Sequence, residues 1–480
     1  MNPAAQVVPI GDAASRAQEI FERQKAACLN NPPSSVEGRR AILQKLENVL
    51  IKHQDAIAEA VSRDFGNRSI QETKILELFP AIDGLRDTRR KLKKWMKPQK
   101  RHVSLWFKGA RNQVIPQPKG VVGMIAPWNY PLFLVISPLT SALAAGNRCM
   151  VKMAANAQRL SHLLHDILAP EFSEDLLAIL PGVSARDFTP LPFDHLVFTG
   201  SPASGRTVMK TASDNLTPVT LELGGKSPTI IADDFDIRTA AERILHVKYM
   251  NAGQTCVAPD YLMMPAHKVE AFVAAARRIV RARYPRLDTP DFTAIINARS
   301  FQRLTGVIED ARSKGAAIDH LIDGAAPDAD LCKIPPTILR DVTDEMAVMQ
   351  HEIFGPLLPI KTYQSLDEVI DYINAHERPL ALYLFTNDRG VQDTVIARTM
   401  SGGVSINDCA MHVAQHDMPF GGIGNSGMGQ YHGYEGFAEF SKLRPVFRQA
   451  AKPLGAAFLY PPYGKTFERM FKVLIKMRWV

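Results

Sequence analysis

Five stretches of this chain place reactive or ligand-holding side chains where they could do chemistry. Cys256 lies in NAGQTCVAPD, residues 251–260, between a glycine-led polar turn and an apolar run that continues as Tyr261, Leu262, Met263 and Met264. An ionised thiol is a strong nucleophile, although a cysteine entering a strand also serves as a small buried hydrophobe. Glu222, in LELGGKSP, stands inside an apolar strand just ahead of two glycines. A carboxylate is costly to bury charged, so its pKa is easily raised toward that of a general base; a buried ion pair is the structural alternative. Asn129 follows the apolar run GVVGMI in APWNYP, where its amide would face a developing oxyanion or simply form a turn. HEIFGP sets Glu352 and Phe354 on a loop bounded by Gly and Pro, a pair able to hold a sugar hydroxyl and a ring face, or a chance loop composition. FTGSPASG, residues 198–205, ends an apolar strand in a glycine turn ahead of the helix-like RTVMKTA. A helix N-terminus can receive a phosphate, yet the stretch lacks both the GxGxxG and the Walker pattern, and an ordinary strand-turn-helix fits it equally.

The elements that must position these groups follow from periodicity. The first part of the chain reads as helices: Ser34 and Glu37 have capping-box spacing, and Ile42, Leu43, Leu46, Leu50, Ile57 and Val61 recur near the helical period. GVVGMIAP, RCMVKM, HLVFTG and VTLEL then read as buried parallel strands with helix-like stretches between the first three, and a sheet of that kind binds ligands beyond its carboxyl strand ends. A second α/β set begins near Lys226. Its helices are expected at 237–249 and 268–284, its strands at 261–264, 359–362, 381–385 and 403–407. Between the two regions, HVSLWFKGARNQVIPQPKG alternates weakly around a Gly and two prolines, as an exposed hairpin or arm does.

Composition bounds the rest. The chain has 480 residues, 46% hydrophobic and 22% charged, enough for two or three domains with their own cores. The net charge of +8 suits anionic ligands, a membrane surface or nucleic acid, but the basic residues fall in short runs such as Arg89, Arg90, Lys91, Lys93 and Lys94, which read as a solvated helix face. No nucleic-acid motif accompanies them, and no nucleic-acid partner is expected. Five scattered cysteines fit a reducing compartment better than a disulfide framework or a zinc ribbon. The start, MNPAAQVVPIGDAASRAQ, lacks a basic segment followed by an apolar core, and no apolar run reaches about 18 residues, so the cytoplasm is the expected location. Thirteen histidines, including His162 and His165, give no metal-ligand spacing, and no metal is expected. In the tail, Phe467, Phe471 and Leu474 form one helical stripe among Lys465, Arg469, Lys472, Lys476 and Arg478; docking on the protein itself is favoured over binding a membrane surface.

The order PWNYP, FTGS, LELGGK, GQTC, EIFGP and PFGGIGNSG closely resembles the aldehyde dehydrogenase superfamily from about Phe21 to Phe447, and GQTCVAPDY with PFGGIGNSGMGQYHG is most similar to its class-3-type branch of fatty and coniferyl aldehyde dehydrogenases. The resemblance implies an α/β fold with a Rossmann-type dinucleotide-binding domain (1–101 and 121–222), a catalytic domain (223–425), a small β oligomerisation arm (102–120 and about 440–450) that makes a homodimer, and a C-terminal tail (451–480). It implies oxidation of an aldehyde, either aromatic such as coniferyl aldehyde or medium-chain aliphatic, to its acid. Cys256 would be the nucleophile, Asn129 the oxyanion donor, and Glu222 the base that activates water against the thioester. Lys152, Gly200, Ser201, Gly205, Leu223, Glu352, Phe354 and Trp128 would bind NAD. The family often reads Lys-Pro-Ser-Glu where this chain has KMAA, so Ala155 replaces a ribose-binding glutamate and NADP becomes usable beside NAD. Met124, Trp128, Tyr130, Val257 and Met411 are candidates for a substrate tunnel, and His432 and Tyr434 for packing of the closing loop. An acyl-transferring reductase or a catalytically idle scaffold of the same fold are the alternative functions; retention of Glu222, Cys256 and Asn129 together argues against both.

Overall fold

Runs that are apolar at every position, such as Val121–Ala126, are stable as strands only where both faces are covered, and that requirement organises this fold. A computed structural model describes residues 10–31, 33–104, 107–451 and 460–476. Among these residues the strands form three sheets. The smallest is antiparallel: β1 (Gln99–Arg101) pairs with β2 (Arg111–Pro118), which pairs along its length with the late strand β16 (Ser441–Arg448).

The second sheet holds β3 (Val121–Ala126), β4 (Arg148–Met153), β5 (Leu177–Ile179), β6 (His195–Gly200) and β7 (Val219–Leu223), all parallel. Its order, 5-4-3-6-7, reverses direction between β3 and β6, which is the switch point of a doubly wound sheet. The third holds β8 (Pro228–Ile231), β9 (Tyr261–Pro265), β10 (Ala317–His320), β11 (Thr337–Arg340), β12 (Leu357–Tyr363), β13 (Ala381–Phe385) and β14 (Gly403–Ile406) in the order 10-11-12-9-8-13-14, parallel except for β10. The strand β15 (Gly427–Met428) crosses back to lie antiparallel beside β7.

Alternation along β3 builds the core: Val122, Met124 and Ala126 point into the main cluster, Val121 and Ile125 into the cluster on the opposite face. Onto the first face pack the helices Val36–Lys52 and Gln54–Asp64, with Leu43, Leu46, Leu50, Ile57 and Val61 fully buried, each worth roughly 1.5–3 kcal/mol relative to exposure, while the helix Ile10–Asn30 packs on the other. The connector Phe133–Ala145, buried from Leu134 through most of its length, ends at Gly146 with φ 92°. A Cβ there would lie 2.6 Å from the guanidinium carbon of Arg39, which donates to the Ala144 carbonyl and so satisfies the helix end.

Four expectations change. The helix Val36–Lys52 is capped by Ser35, whose hydroxyl accepts the Gly38 N–H, and not by Ser34, which accepts from Arg39 instead. The small sheet takes in Gln99–Arg101, ahead of the boundary expected at 102. Gly427–Met428 returns the chain to the sheet of Glu222, a pairing that periodicity cannot reveal in a two-residue strand. In the tail, the helix Lys465–Lys476 buries none of its residues, and Phe467 of its apolar stripe stacks on Phe471 at 6.0 Å and packs on Tyr463 at 5.1 Å; Arg478 lies outside the described residues. No helix among the described residues is long and apolar enough to cross a membrane.

Candidate active site

The chain reaches Cys256 through three consecutive left-handed residues, Asn251 (φ 50°), Ala252 (φ 50°) and Gly253 (φ 75°). Such backbone costs of order 1–3 kcal/mol per non-glycine residue and persists only when its surroundings over-determine it. Here they do. Asn251 donates from Nδ2 to the Asn129 and Gln254 carbonyls at 2.9 and 3.1 Å, and its backbone N–H reaches the Glu72 carboxylate at 2.7 Å. The buried Gln254 side chain donates to the Asn251 and Ala294 carbonyls and accepts the Ile296 N–H. A Cβ at Gly253 would lie 2.2 Å from the Gly355 carbonyl oxygen, so only glycine fits.

Asn129 faces this turn from the end of β3. Its Nδ2 donates to the Gln254 carbonyl at 3.2 Å, leaving the second N–H of the amide for a ligand. The loop that carries it is pinned from behind by the fully buried Arg68, which donates to the Asn129 carbonyl at 2.8 Å, pairs with Glu77 at 2.9 Å and lies over the Tyr130 ring at 4.7 Å. Glu77 in turn accepts the Leu132 and Phe133 N–H groups that open the next helix. Removing one member of this buried pair would strand the other charge, which makes the loop rigid.

The third wall carries carboxylates of the opposite character. Glu222, near the end of β7, is 2% exposed, and neither oxygen has a hydrogen-bond partner; burial raises its pKa well above the ordinary value. Glu352 likewise has an unpartnered Oε1, and burial, with the nearby charge of Asp260, pushes it up to about 8. Its close approach requires Gly224, where a Cβ would lie 2.2 Å from the carboxylate. Cys256, half-buried, has its thiol pushed up to about 12 by burial and by Glu352 and Glu222. In this state the sulfur keeps its proton, and a base must take it before attack.

These walls enclose one cavity of about 210 Å³. It brings together Asn129, Glu222, Cys256 and Glu352 with Trp128 and Phe354, whose rings meet edge to face at 5.5 Å. Gly200, Ser201 and Leu223 line its other end, at the switch point between β3 and β6. Ser201 caps the helix Pro202–Ser213, its hydroxyl accepting the Ser204 N–H, and because Pro202 has no N–H it is the Ala203 N–H that is left for an anion. Gly205 does not line the cavity; a Cβ there would meet Leu223 at 2.7 Å, so its absence lets helix and strand close up. Lys152 also lies outside the lining, at the end of β4, with its half-buried ammonium unpartnered among the described residues and its pKa lowered by burial. The free helix end, the orphaned Glu352 oxygen and the unspent Lys152 together fit a dinucleotide. Ala155 and Asn156 sit exposed on the short turn that follows β4.

Of the residues proposed for a tunnel, only Trp128 lines the cavity. Met124 and Val257 are core, Tyr130 bonds Thr255 at 2.8 Å, and Met411 is on the surface. The apolar walls come instead from Leu134, Leu380, Phe420 and Tyr431, which the sequence reading did not single out as lining residues. His432 is buried with φ 82° and stacks on Phe420 at 5.6 Å, and Tyr434 bonds Gln99 of the small sheet. Among the described residues no cluster of His, Cys, Asp and Glu is placed to hold a metal.

A doubly wound sheet with its switch-point cleft opening onto a buried thiol defines a dinucleotide-dependent enzyme class, and comparison with known proteins specifies it. The family model for the aldehyde dehydrogenase family matches residues 3–446, and the chain belongs to that family. It is 49% identical over 465 residues to a probable coniferyl aldehyde dehydrogenase of Pseudomonas aeruginosa, covering 96% of each, and 36% identical to human aldehyde dehydrogenase family 3 member B1, covering 98% of each. The solved substrate-bound AldH of Staphylococcus aureus superposes with a TM-score of 0.89 at 35% identity, over 96% of this chain and 99% of that one. The protein is thus an NAD(P)-dependent aldehyde dehydrogenase of the class-3-type branch, oxidising an aldehyde to its carboxylic acid.

Proposed function

We propose that the substrate is an aromatic aldehyde of the coniferyl type, with medium-chain aliphatic aldehydes as secondary substrates, and that Cys256 attacks it. The observation that carries this reading is the composition of the cavity at the thiol: Trp128, Phe354, Phe420 and Tyr431 supply flat apolar walls suited to a conjugated ring. The name of the Pseudomonas aeruginosa relative points the same way.

In the proposed sequence, Glu222 takes the thiol proton as sulfur adds to the aldehyde carbon. The free N–H of Asn129 and the backbone N–H of Cys256 receive the developing oxyanion. Lys152, Gly200, Ser201, Gly205, Leu223, Glu352, Phe354 and Trp128 hold NAD, or NADP beside it, which when bound accepts the hydride. Glu222 passes the first proton to solvent, and the thioester left on Cys256 is then cleaved by water with Glu222 again as base: the water oxygen bonds to the acyl carbon, the carbon–sulfur bond breaks, and the proton taken from water returns to sulfur. Among the described residues neither Glu222 oxygen nor the Glu352 Oε1 has a partner, so these oxygens are free to bond substrate and water.

Assembly and location complete the reading. The small sheet leaves β1 and β16 as edges, with Phe447 half exposed beside Phe107, which supports pairing with a second subunit in a homodimer. The sheet of β3 to β7 with its helices would be the dinucleotide-binding domain, the sheet of β8 to β14 the catalytic domain, and the enzyme cytoplasmic. Light scattering should give twice the 53.1 kDa chain mass; a fully active monomer would remove the arm's role.

A panel of acetaldehyde, octanal, benzaldehyde and coniferyl aldehyde, each with NAD and NADP, tests the substrate assignment. Coniferyl aldehyde should exceed acetaldehyde in kcat/KM by about a hundredfold, since the ring buries several methylene equivalents more apolar surface. Equal values would contradict it.

A further inference from the structure

Tyr431 is fully buried, yet its hydroxyl has no hydrogen-bond partner. Leaving a phenol so placed costs about 1–3 kcal/mol relative to a satisfied one, and phenylalanine would fill the same space without that cost. The ring is held firmly. Its backbone exchanges both hydrogen bonds with Phe420, at 2.8 and 2.9 Å, and the two rings meet at 5.7 Å. The residue comes three positions after β15, the strand whose Gly427 lies opposite Glu222. Tyr431 therefore lines the same cavity as Glu222 and Cys256, and Tyr431 and Glu222 each contribute a polar group without a partner among the described residues.

Two unsatisfied groups lining one cavity, a carboxylate and a phenol, make a site for a small hydroxylic ligand with two polar partners. Water is such a ligand, and the proposed reaction needs one beside Cys256. We propose that Tyr431 is a further catalytic residue: its hydroxyl holds, together with the Glu222 carboxylate, the water molecule that hydrolyses the Cys256 thioester. Glu222 removes one proton of this water as its oxygen attacks the acyl carbon, the carbon–sulfur bond breaks, and the sulfur is reprotonated from Glu222; the phenol keeps its own proton throughout and fixes the water oxygen. Burial and the neighbouring Glu222 and Cys256 raise the phenol pKa, consistent with its remaining neutral. The inference rests on the proposed roles of Cys256 and Glu222.

Tyr431→Phe deletes only the oxygen. The variant should fold with a melting temperature at or above wild type. Its acyl-enzyme should persist about tenfold longer, one hydrogen bond's worth, while acylation, read as kcat/KM, stays within about twofold. Two readouts isolate that step. Stopped-flow with aldehyde and NAD should show a burst of reduced cofactor that is larger relative to turnover than in wild type. Without cofactor, p-nitrophenyl acetate should acylate Cys256, expelling p-nitrophenolate, and mass spectrometry should follow the slower loss of the acetyl group. In the background of Glu222→Gln the same substitution should change deacylation by less than about twofold, because the two groups act on one water. A wild-type acyl lifetime in Tyr431→Phe, a full additive effect in the double variant, or a lowered melting temperature would each overturn the assignment of the hydroxyl. If Cys256→Ala still turned over aldehyde, the underlying reading of the thiol would fail instead.

Discussion

The two faces of the cavity are built on opposite terms. On the thiol side, the left-handed turn of Asn251, Ala252 and Gly253 is tied to Asn129, Gln254 and Glu72 by bonds of 2.7 to 3.1 Å, and only the Asn251 side-chain oxygen is left over. On the carboxylate side, the buried Glu222 and the partly buried Glu352 have three oxygens with no partner among the described residues. Scaffold polar groups are spent on one another so that geometry is fixed; reacting groups are left unspent so that they can bond what enters. Unsatisfied buried oxygens occur elsewhere in the fold too, on Gln24 and Tyr249 among others, so it is their convergence on one cavity, at Glu222, Glu352 and Tyr431, that marks function.

Substitutions on the two faces should separate activity from stability. The largest effect is expected from Glu222→Gln, which should lower kcat by about 10²- to 10⁴-fold, the range for a general base, with stability unchanged or raised. Wild type should lose activity as pH falls, because Glu222 must be unprotonated to accept a proton, and its raised pKa puts the midpoint of that acid limb above the ordinary carboxylate range. The limb should vanish in Glu222→Gln; a midpoint near the ordinary value would assign it to another group. Asn129→Ala should cost about 10²- to 10³-fold in kcat, with little change in dinucleotide affinity measured by fluorescence titration. An unchanged kcat would return Asn129 to a turn-forming role.

Gly253→Ala tests the other face. The added methyl meets the Gly355 carbonyl in a left-handed backbone, so thermal or urea unfolding should register a loss of at least about 2 kcal/mol, a thirtyfold change in equilibrium. Retained stability would mean that the turn is less constrained than its bonds imply. The smallest effect belongs to Ala155→Glu, at the exposed turn after β4. One regained charged hydrogen bond to a ribose is worth up to about 3 kcal/mol, and exposure reduces it, so the NAD to NADP ratio of kcat/KM should rise about tenfold. No movement in that ratio would transfer ribose recognition to Asn156 or another group.

What could be read beforehand depended on the range of the interactions. Strands β3, β4, β6 and β7 were legible because apolar runs report burial locally, and Glu222 and Cys256 were noticeable as polar or reactive groups attached to such runs. The motif order then carried the family. Tyr431 was not legible as part of the site: its place beside Glu222 depends on the two-residue strand β15 returning across the chain, and a glycine-rich loop has no period to announce it. The tunnel failed for a related reason. Met124 and Val257 flank motifs in sequence, but alternation along a strand turns Met124 into the core, while Leu134, Leu380 and Phe420 reach the cavity from separate elements. The cap of the first long helix shifted from Ser34 to Ser35 because adjacent serines satisfy the same pattern and only backbone geometry selects between them.

The central claim is that Cys256 carries the acyl group, and the most direct measurement is peptide mass spectrometry of the wild-type enzyme quenched in acid within its first turnover after mixing with coniferyl aldehyde and NAD. The account predicts one acyl group per chain, on the peptide that contains Cys256, removable by hydroxylamine and absent from Cys256→Ala. Reduced cofactor formed with no acyl group on that peptide, or with the group on another residue, would contradict it.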